Sequence, residues 1–278
     1  MGVIHTGVGQ WQLSWTDELL FDTEAARARA AVLGPSSNLA LRQLVAGDVS
    51  QLSEVACDTR VSDEELCERC LALRGGPLVE GPLRRNARER ARAWLFLSGE
   101  PKPPANAEEL LSFYEEANRL EPHYCETVPA RFRTAEDPMP FTRAGLFDRR
   151  PAPPECETDA GDDIPRDVDA LLRFVGRGDL PSEWVAFASY FLFLRIHPFR
   201  DGNGHAARML ALALLAPHYG TEQLVRFVAR MQERREDLVG LLGDIRLQRS
   251  DIGDLAAFML SLLDESRARG EWQCSRWL

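Results

Sequence analysis

The feature that most constrains how this 278-residue chain can fold is an apolar run that is followed by a proline and two glycines. Residues 184–194 are apolar on nearly every side, which is typical of a helix buried in a protein core. The run is about ten residues long, whereas a helix that crosses a bilayer needs about 20. Pro198, Gly202 and Gly204 interrupt the helix, and an alanine- and leucine-rich segment from His205 starts another. The pattern therefore predicts a buried helix, a tight loop and a second helix.

The loop between these helices collects groups that can handle phosphate. His197 can act as a general base near neutral pH, and Asp201 can hold a divalent cation. The Gly-Asn-Gly turn at 202–204 can present backbone N–H groups to an anion at the start of the second helix. Arg208 follows about one turn later, where its guanidinium can bind phosphate oxygens. Each residue alone is commoner in an ordinary turn, so it is their joint spacing that indicates an active site.

The segment resembles the signature of the Fic-domain family, His-x-Phe-x-Asp/Glu-Gly-Asn-Gly/Lys-Arg-x-x-Arg. The positions that match without a gap are His197, Phe199, Asp201, Gly202, Asn203, Gly204 and Arg208. The resemblance implies an all-α fold, in which a Fic-like helical domain carries a small β-hairpin flap. It is strong at 196–208 and extends loosely over 83–264.

The resemblance also implies an enzyme, a nucleotidyltransferase that moves a nucleoside monophosphate, usually AMP from ATP, onto a Ser, Thr or Tyr hydroxyl of a protein. In such enzymes the histidine, here His197, deprotonates the target hydroxyl, and the acidic residue, here Asp201, binds magnesium. The implied nucleotide- and phosphate-binding residues are Gly202, Asn203, Gly204, His205 and Arg208. Magnesium is thus the expected cofactor, ATP the donor, and a hydroxyl-bearing protein of unknown identity the partner.

His205 departs from the family pattern, because an arginine usually follows the glycine turn. A histidine is only partly charged at neutral pH, so the affinity for a triphosphate is expected to be weaker, or the donor to differ. Three alternatives therefore stay open: another donor group (UMP, phosphocholine or phosphate), the reverse removal of AMP, and a nucleotide-binding regulatory module without turnover. Tyr190 stands where the family often has a further histidine, and we interpret it as a packing residue.

A target-docking flap is expected before the signature. Residues 139–150 resemble the β-hairpin flap of the family, with Phe141, Gly145 and Phe147 as the docking residues. Such a flap would hold a segment of the target as an added strand. The alternative is an ordinary surface loop.

Many Fic proteins carry an inhibitory helix with the pattern Ser/Thr-x-x-x-Glu-Gly/Asn, whose glutamate pairs with the last arginine of the signature. In the N-terminal candidate, 36–41, the glutamate position is Ala40. The C-terminal candidate, 261–266, has Glu265 but ends in Ser266, and its pattern equally fits the exposed edge of an amphipathic helix. The sequence therefore assigns no inhibitory glutamate.

Composition limits the class of protein. A net charge of −10 and a pI near 5.1 argue against a dedicated nucleic-acid-binding protein, whose surface is normally basic. No segment resembles a signal peptide or a membrane-spanning helix, so we predict a cytoplasmic protein without membrane contact. Delivery into a host cell by a specialised secretion system stays open, as does the oligomeric state.

The rest of the chain is predicted to be mostly helical. An N-terminal helical extension of unknown role is expected at 1–82, the Fic-like domain at 83–264 and a C-terminal tail at 265–278. An arm or strand is expected within 1–20, and candidate helices cover 23–33, 37–46, 62–73, 84–98, 107–119, 166–176, 183–196, 205–216, 221–240 and 252–268. Cys67 and Cys70 are expected to share a packed helix face. A cluster of arginines is interpreted as a solvated helix face: Arg84, Arg85, Arg88 and Arg90.

Overall fold

The computed structural model describes residues 1–31, 37–47, 49–73, 80–118, 130–134, 137, 164–248 and 251–266. Within them the chain forms twelve helices and one two-stranded antiparallel sheet, which confirms the predicted all-α class. The strands are β1 (Gly2–His5) and β2 (Gln12–Trp15). The helices are α1 (Asp17–Ala31), α2 (Asn38–Ala46), α3 (Ser50–Cys57), α4 (Asp63–Leu71), α5 (Glu80–Ser98), α6 (Ala107–Asn118), α7 (Ile164–Val175), α8 (Ser182–Ile196), α9 (Asn203–Leu215), α10 (Thr221–Glu233), α11 (Arg235–Gln248) and α12 (Gly253–Glu265).

Helix α8 lies at the centre of the hydrophobic core. It is buried along nearly its whole length, as its apolar run predicts. Helices α7, α9 and α12 all pack against it. Phe187 of α8 meets Phe227 of α10 with ring centroids 6.0 Å apart. Because α8 is enclosed by other helices, the residues that follow its C-terminus start from a fixed position in the core.

The sheet lies at the N-terminus and ties the start of the chain to the central helix. Trp11 meets Phe191 of α8 edge-on, with ring centroids 4.8 Å apart. Gln12 forms a parallel bridge with Asp251, and the Asp251 carboxylate accepts hydrogen bonds from the backbone N–H and the hydroxyl of Ser14. The strand expected within 1–20 is therefore one half of a hairpin. The flap predicted at 139–150 is a different segment and lies outside the described residues.

Helix boundaries were predicted less well than helix existence. Helix α1 begins at Asp17, six residues before the predicted start. Helix α3 was not predicted, because it is short and its N-cap residue, Val49, makes no side-chain capping bond. The single helix expected at 221–240 is two helices that meet at Arg234.

Packing tests two smaller predictions. Cys67 and Cys70 are both buried on α4, which confirms that they share a packed face. Helices before and after residue 82 contribute to the same hydrophobic cluster, for example through Leu66 and Ala87. The proposed domain limits stay a prediction. Among the described residues, no helix is both long enough and apolar enough to span a membrane.

A fully buried carboxylate joins three parts of the fold. Glu183, in the first turn of α8, accepts hydrogen bonds from Nε and Nη2 of Arg27 on α1, at 2.7 and 2.6 Å. The hydroxyl of Tyr219, which follows α9, donates to the same carboxylate at 2.6 Å. Burial and the adjacent Glu183 raise the pKa of Tyr219, so this hydroxyl keeps its proton and stays a donor.

We expect Glu183→Gln to lower the free energy of unfolding by about 2 kcal/mol, because the amide removes the charge that Arg27 and Tyr219 are oriented to meet. Chemical denaturation of the purified variant measures the loss. Asp179→Asn is the matched control, since Asp179 pairs with Arg177 at the surface, where an ion pair contributes about 0–1 kcal/mol. Equal losses in the two variants would contradict a special role for Glu183.

Candidate active site

The signature residues lie on the loop between α8 and α9 and on the first turns of α9. Helix α8 ends at Ile196, and the next residue, His197, adopts the left-handed conformation with φ 52° and ψ 58°. The N–H of His197 still donates to the Phe193 carbonyl at 2.9 Å. Left-handed backbone is uncommon for a residue other than glycine, and it turns the chain sharply out of the helix. The loop therefore begins at the candidate base.

Aromatic packing anchors the middle of the loop. Phe199 is only 1% exposed, and its ring stacks on Tyr114 of α6 with centroids 3.8 Å apart. The Tyr114 hydroxyl donates to the carbonyl of Asp201 at 3.0 Å. Helix α6 thus holds the loop both through a ring contact and through a hydrogen bond.

The side chain of Asn203 closes the loop from within. Its Oδ1 accepts from the N–H of Phe199 at 3.0 Å, and its Nδ2 donates to the carbonyl of Phe199 at 2.8 Å. The amide is therefore committed to the loop, and Asn203 can meet a phosphate only through its backbone. Its N–H and that of Gly204 belong to the first turn of α9, where a helix has no internal acceptors for them. An anion would be favoured at this end of the helix.

Gly202 is required by its surroundings in two ways. Its φ of 71° lies in the left-handed region, which favours glycine. A Cβ at this position would also lie 2.5 Å from Oδ1 of Asn118. Gly204 is less restricted, because a Cβ there would meet Nη1 of Arg208 at an ordinary 3.6 Å.

Asp201 is exposed just before the start of α9. Its Oδ1 accepts from the N–H of Gly202 at 2.7 Å. The described part of the chain holds no group of three or more His, Cys, Asp or Glu side chains arranged for a metal ion. Magnesium is commonly held by one or two carboxylates together with substrate phosphates and water. Asp201 therefore has the chemistry of one carboxylate ligand for such a cation.

Arg208 is buried and bound to a carboxylate that sequence reasoning missed. Its Nη2 donates to Oε2 of Glu89 on α5 at 2.8 Å, and Nη1 of Arg92 donates to Oε1 of the same residue at 2.7 Å. Burial alone would raise the pKa of Glu89, but Arg208 and Arg92 hold it well below its ordinary value. Glu89 is therefore ionised and forms a buried charge pair with the predicted phosphate-binding arginine.

This contact changes the interpretation of two sequence patterns. Neither inhibitory-helix candidate, 36–41 or 261–266, supplies the carboxylate beside Arg208. The inhibitory-helix pattern does not identify Glu89, because arginines occupy the positions where that pattern has Ser/Thr and Gly/Asn. These arginines are Arg85 and Arg90. In the sequence, Glu89 is distinguished only as an acidic residue within an arginine-rich helix.

The prediction of a solvated face for that cluster is wrong for Arg90, which is 2% exposed. Arg84 and Arg88 are partly buried, and Arg85 is exposed. Packing of α5 against α4 and α10 explains the burial, because helix contacts enclose the long arginine stems.

His205 lies in the same polar cluster. Its Nδ1 is 3.2 Å from Oδ1 of Asn118, and its Nε2 is 3.4 Å from Oε1 of Glu89. The amide of Asn118 is oriented by Nδ2, which donates to the Tyr114 carbonyl at 2.9 Å, so its oxygen faces His205. Burial lowers the pKa of His205, and the neighbouring Glu89 opposes that shift without cancelling it. His205 is therefore largely neutral at pH 7 and does not replace an arginine as a cation.

Of the remaining residues with a predicted role, one lies in the described part of the chain and three do not. Tyr190 is buried in the hydrophobic core, which confirms the packing interpretation. Phe141, Gly145 and Phe147, the predicted docking residues of the flap, lie outside the described residues.

The left-handed backbone at His197 leads to a stability prediction. We expect His197→Gly to be more stable than His197→Ala by about 1 kcal/mol, because alanine keeps the strain of the left-handed conformation and glycine does not. Denaturant unfolding of both variants measures the difference. The matched control is Glu115, exposed within α6, where the order should reverse because glycine weakens a helix interior by about 1 kcal/mol. Alanine more stable than glycine at both sites would contradict the prediction.

Comparison with known proteins bears on the same segment. Residues 105–215 match the model of the Fic/DOC family, and this range contains α6 to α9 and every signature residue. Among solved structures, the chain is similar to a crystal structure of a Fic family protein from Desulfovibrio desulfuricans G20. The two chains share 18% identity with a TM-score of 0.56, over 91% of this chain and 74% of that one. Comparison with curated proteins gave no match.

Proposed function

We propose that the protein is an adenylyltransferase, because residues 105–215 match the model of the Fic/DOC family, which is generally linked to transfer of nucleotides or other groups onto proteins. It moves AMP from ATP to a Ser, Thr or Tyr hydroxyl of a target protein. One observation carries the proposal. A histidine at the end of α8 and an arginine on α9 flank a helix N-terminus that carries an exposed aspartate.

His197 acts as the general base in this proposal. Its imidazole takes the proton of the target hydroxyl as the hydroxyl oxygen attacks the α-phosphorus of ATP. The bond between the α-phosphorus and the oxygen that bridges to the β-phosphorus then breaks, and pyrophosphate leaves. The buried turn at His197 favours this role, because a base must be held in one position relative to the attacking oxygen.

The start of α9 binds the phosphates. The N–H groups of Asn203 and Gly204 and the helix dipole attract the negative charge, and Arg208 binds the distal phosphate. Asp201 would hold magnesium, which when bound neutralises charge on the phosphates. Phosphoryl-type transfer depends mostly on such positioning and charge stabilisation, which these groups would supply together.

Transfer of labelled nucleotide is the direct test of the proposal. The purified protein is incubated with magnesium, a bacterial lysate and each of the four nucleoside triphosphates labelled at the α-phosphate, beside His197→Gly. We expect a discrete labelled protein with ATP and the parent only. Glycine accepts the left-handed backbone at 197, so loss of label in the variant reports the missing imidazole. Equal labelling by parent and variant would show that His197 is not the base.

The Glu89–Arg208 pair supports a regulated form of this activity. While the carboxylate holds the guanidinium, Arg208 is unavailable to a phosphate, so the structure corresponds to a restrained state. The family resemblance implies an inhibitory glutamate at this arginine, and Glu89 is the residue in contact with it. Release of Glu89 would then permit productive binding of ATP.

We expect Glu89→Gln to bind ATP about tenfold more tightly, or 1.4 kcal/mol, because the neutral amide no longer neutralises Arg208. Calorimetric titration measures the affinity, and the amount of labelled target measures the transfer. Glu115→Gln, at an exposed position of α6, is the control and should match the parent. Unchanged or weaker binding by a folded Glu89→Gln protein would contradict inhibition by Glu89.

His205 favours a second candidate, a Fic-fold transferase with a different donor. A neutral imidazole between Asn118 and Glu89 offers less charge to a triphosphate than the usual arginine. The same label experiment separates the candidates. Label from UTP alone would indicate UMP transfer. No label from any nucleotide, with parent or Glu89→Gln, would contradict nucleotidyl transfer and favour phosphocholine, phosphate, reverse chemistry or a regulatory module.

A further inference from the structure

Arg133 closes the C-terminal end of α8 from a distant part of the chain. Its Nε donates to the carbonyl of His197 at 2.7 Å, and its Nη2 donates to the carbonyl of Ile196 at 3.2 Å. Its backbone N–H donates to the carbonyl of Pro198 at 2.8 Å. Arg133 is 4% exposed, so these bonds are shielded from water. One residue therefore engages three successive carbonyls, those of the candidate base and of its two neighbours.

These carbonyls need an external donor. The last carbonyls of a helix have no partner within it, and the left-handed turn at His197 directs the chain away from α8. Pro198 has no N–H with which to continue the helix. A cation at a helix C-terminus also interacts favourably with the dipole, and the rigid guanidinium fork fixes the direction of both its bonds.

The turn around Arg133 is itself built to hold that arginine in place. Asp137 accepts from the N–H of Thr134 at 2.7 Å and binds both terminal nitrogens of Arg131, each at 2.7 Å. Nε of Arg200, in the signature loop, lies 3.7 Å from the Asp137 carboxylate. Phe132 also contacts Phe199, with ring centroids 5.5 Å apart. Residues 132, 133 and 137 therefore contact the chain both before and after His197.

We propose that Arg133 is a positioning residue, which holds the backbone of His197 in its left-handed conformation and thereby fixes the imidazole at the reaction site. The inference rests on the proposed role of His197 as the base. Without the two side-chain bonds the turn can relax toward an ordinary φ, and the Cα–Cβ direction of His197 moves with it. The ring would then lie away from the attacking hydroxyl, although it would keep its chemical capacity to accept a proton.

The first readout needs no transfer activity. The imidazole resonances of His197, assigned by their absence in His197→Gly, are followed through a pH titration in the parent and in Arg133→Met. We expect both the chemical shift and the titration midpoint to move in Arg133→Met. They should stay unchanged in Arg60→Met, which removes an exposed arginine that pairs with Asp58 away from the signature loop. Unchanged His197 resonances in a folded Arg133→Met protein would overturn the proposal, whatever the protein transfers.

The second readout is kinetic and follows labelled transfer with its donor. We expect Arg133→Met to lower kcat by about 100-fold with KM changed by less than about twofold, because a displaced base impairs the chemical step more than donor binding. Methylguanidinium added to Arg133→Ala should restore part of kcat, since it can occupy the vacated donor position. A rise in KM at constant kcat, or an equal loss of kcat in Arg60→Met, would contradict positioning.

Folding is monitored by thermal unfolding in every variant. If Arg133→Met is unfolded, Arg133→Lys replaces it, because the ammonium can still donate to a carbonyl while the fork is lost. Failure of both to fold would assign Arg133 to structure alone and overturn the proposal. If no transfer is found in the parent, the resonance experiment still decides the role of Arg133, so the two hypotheses fail separately.

Discussion

The way in which α8 ends is the constraint on which the candidate site depends. An enclosed helix leads into a left-handed histidine, a proline and an anchored phenylalanine, so the chain leaves the core along one path. The side-chain amide of Asn203 and the αL conformation of Gly202 then start α9 a few residues later. The N-terminus of α9 is thereby placed a few residues after an imidazole, and the proposed proton transfer and anion binding depend on this juxtaposition.

Buried charge is the second organising feature. Glu89 lies between Arg208 and Arg92, with His205 close by, so the cluster holds two full positive charges against one negative charge. Such a group is stable only while each charge keeps a partner, because an uncompensated buried charge costs several kcal/mol. A phosphate can substitute for the carboxylate as the partner of Arg208. Exchange between these two anions would be a physical basis for coupling the proposed activity to the position of α5.

Local patterns were informative where a residue's role depends on its neighbours in sequence. The apolar run at 184–194 was sufficient to predict a buried helix, and the spacing from His197 to Arg208 was sufficient to place the loop and the helix start. Patterns failed where the role depends on contacts between distant segments. Glu89 and Arg208 are 119 residues apart, and Arg133 and His197 are 64 apart. Periodicity shows which face of a helix is apolar but not which helix it will meet.

The sequence by itself determined the helical class, the central helix and the identity of the groups that we propose carry out transfer. These follow from local backbone preferences and from hydrophobic periodicity, which act over a few residues. Only the tertiary structure decided that Glu89 holds Arg208, that burial keeps His205 largely neutral, and that Arg133 closes the end of α8. Charge pairing, desolvation and helix capping by a distant side chain depend on distances between packed elements, and those distances exist only once the core has formed.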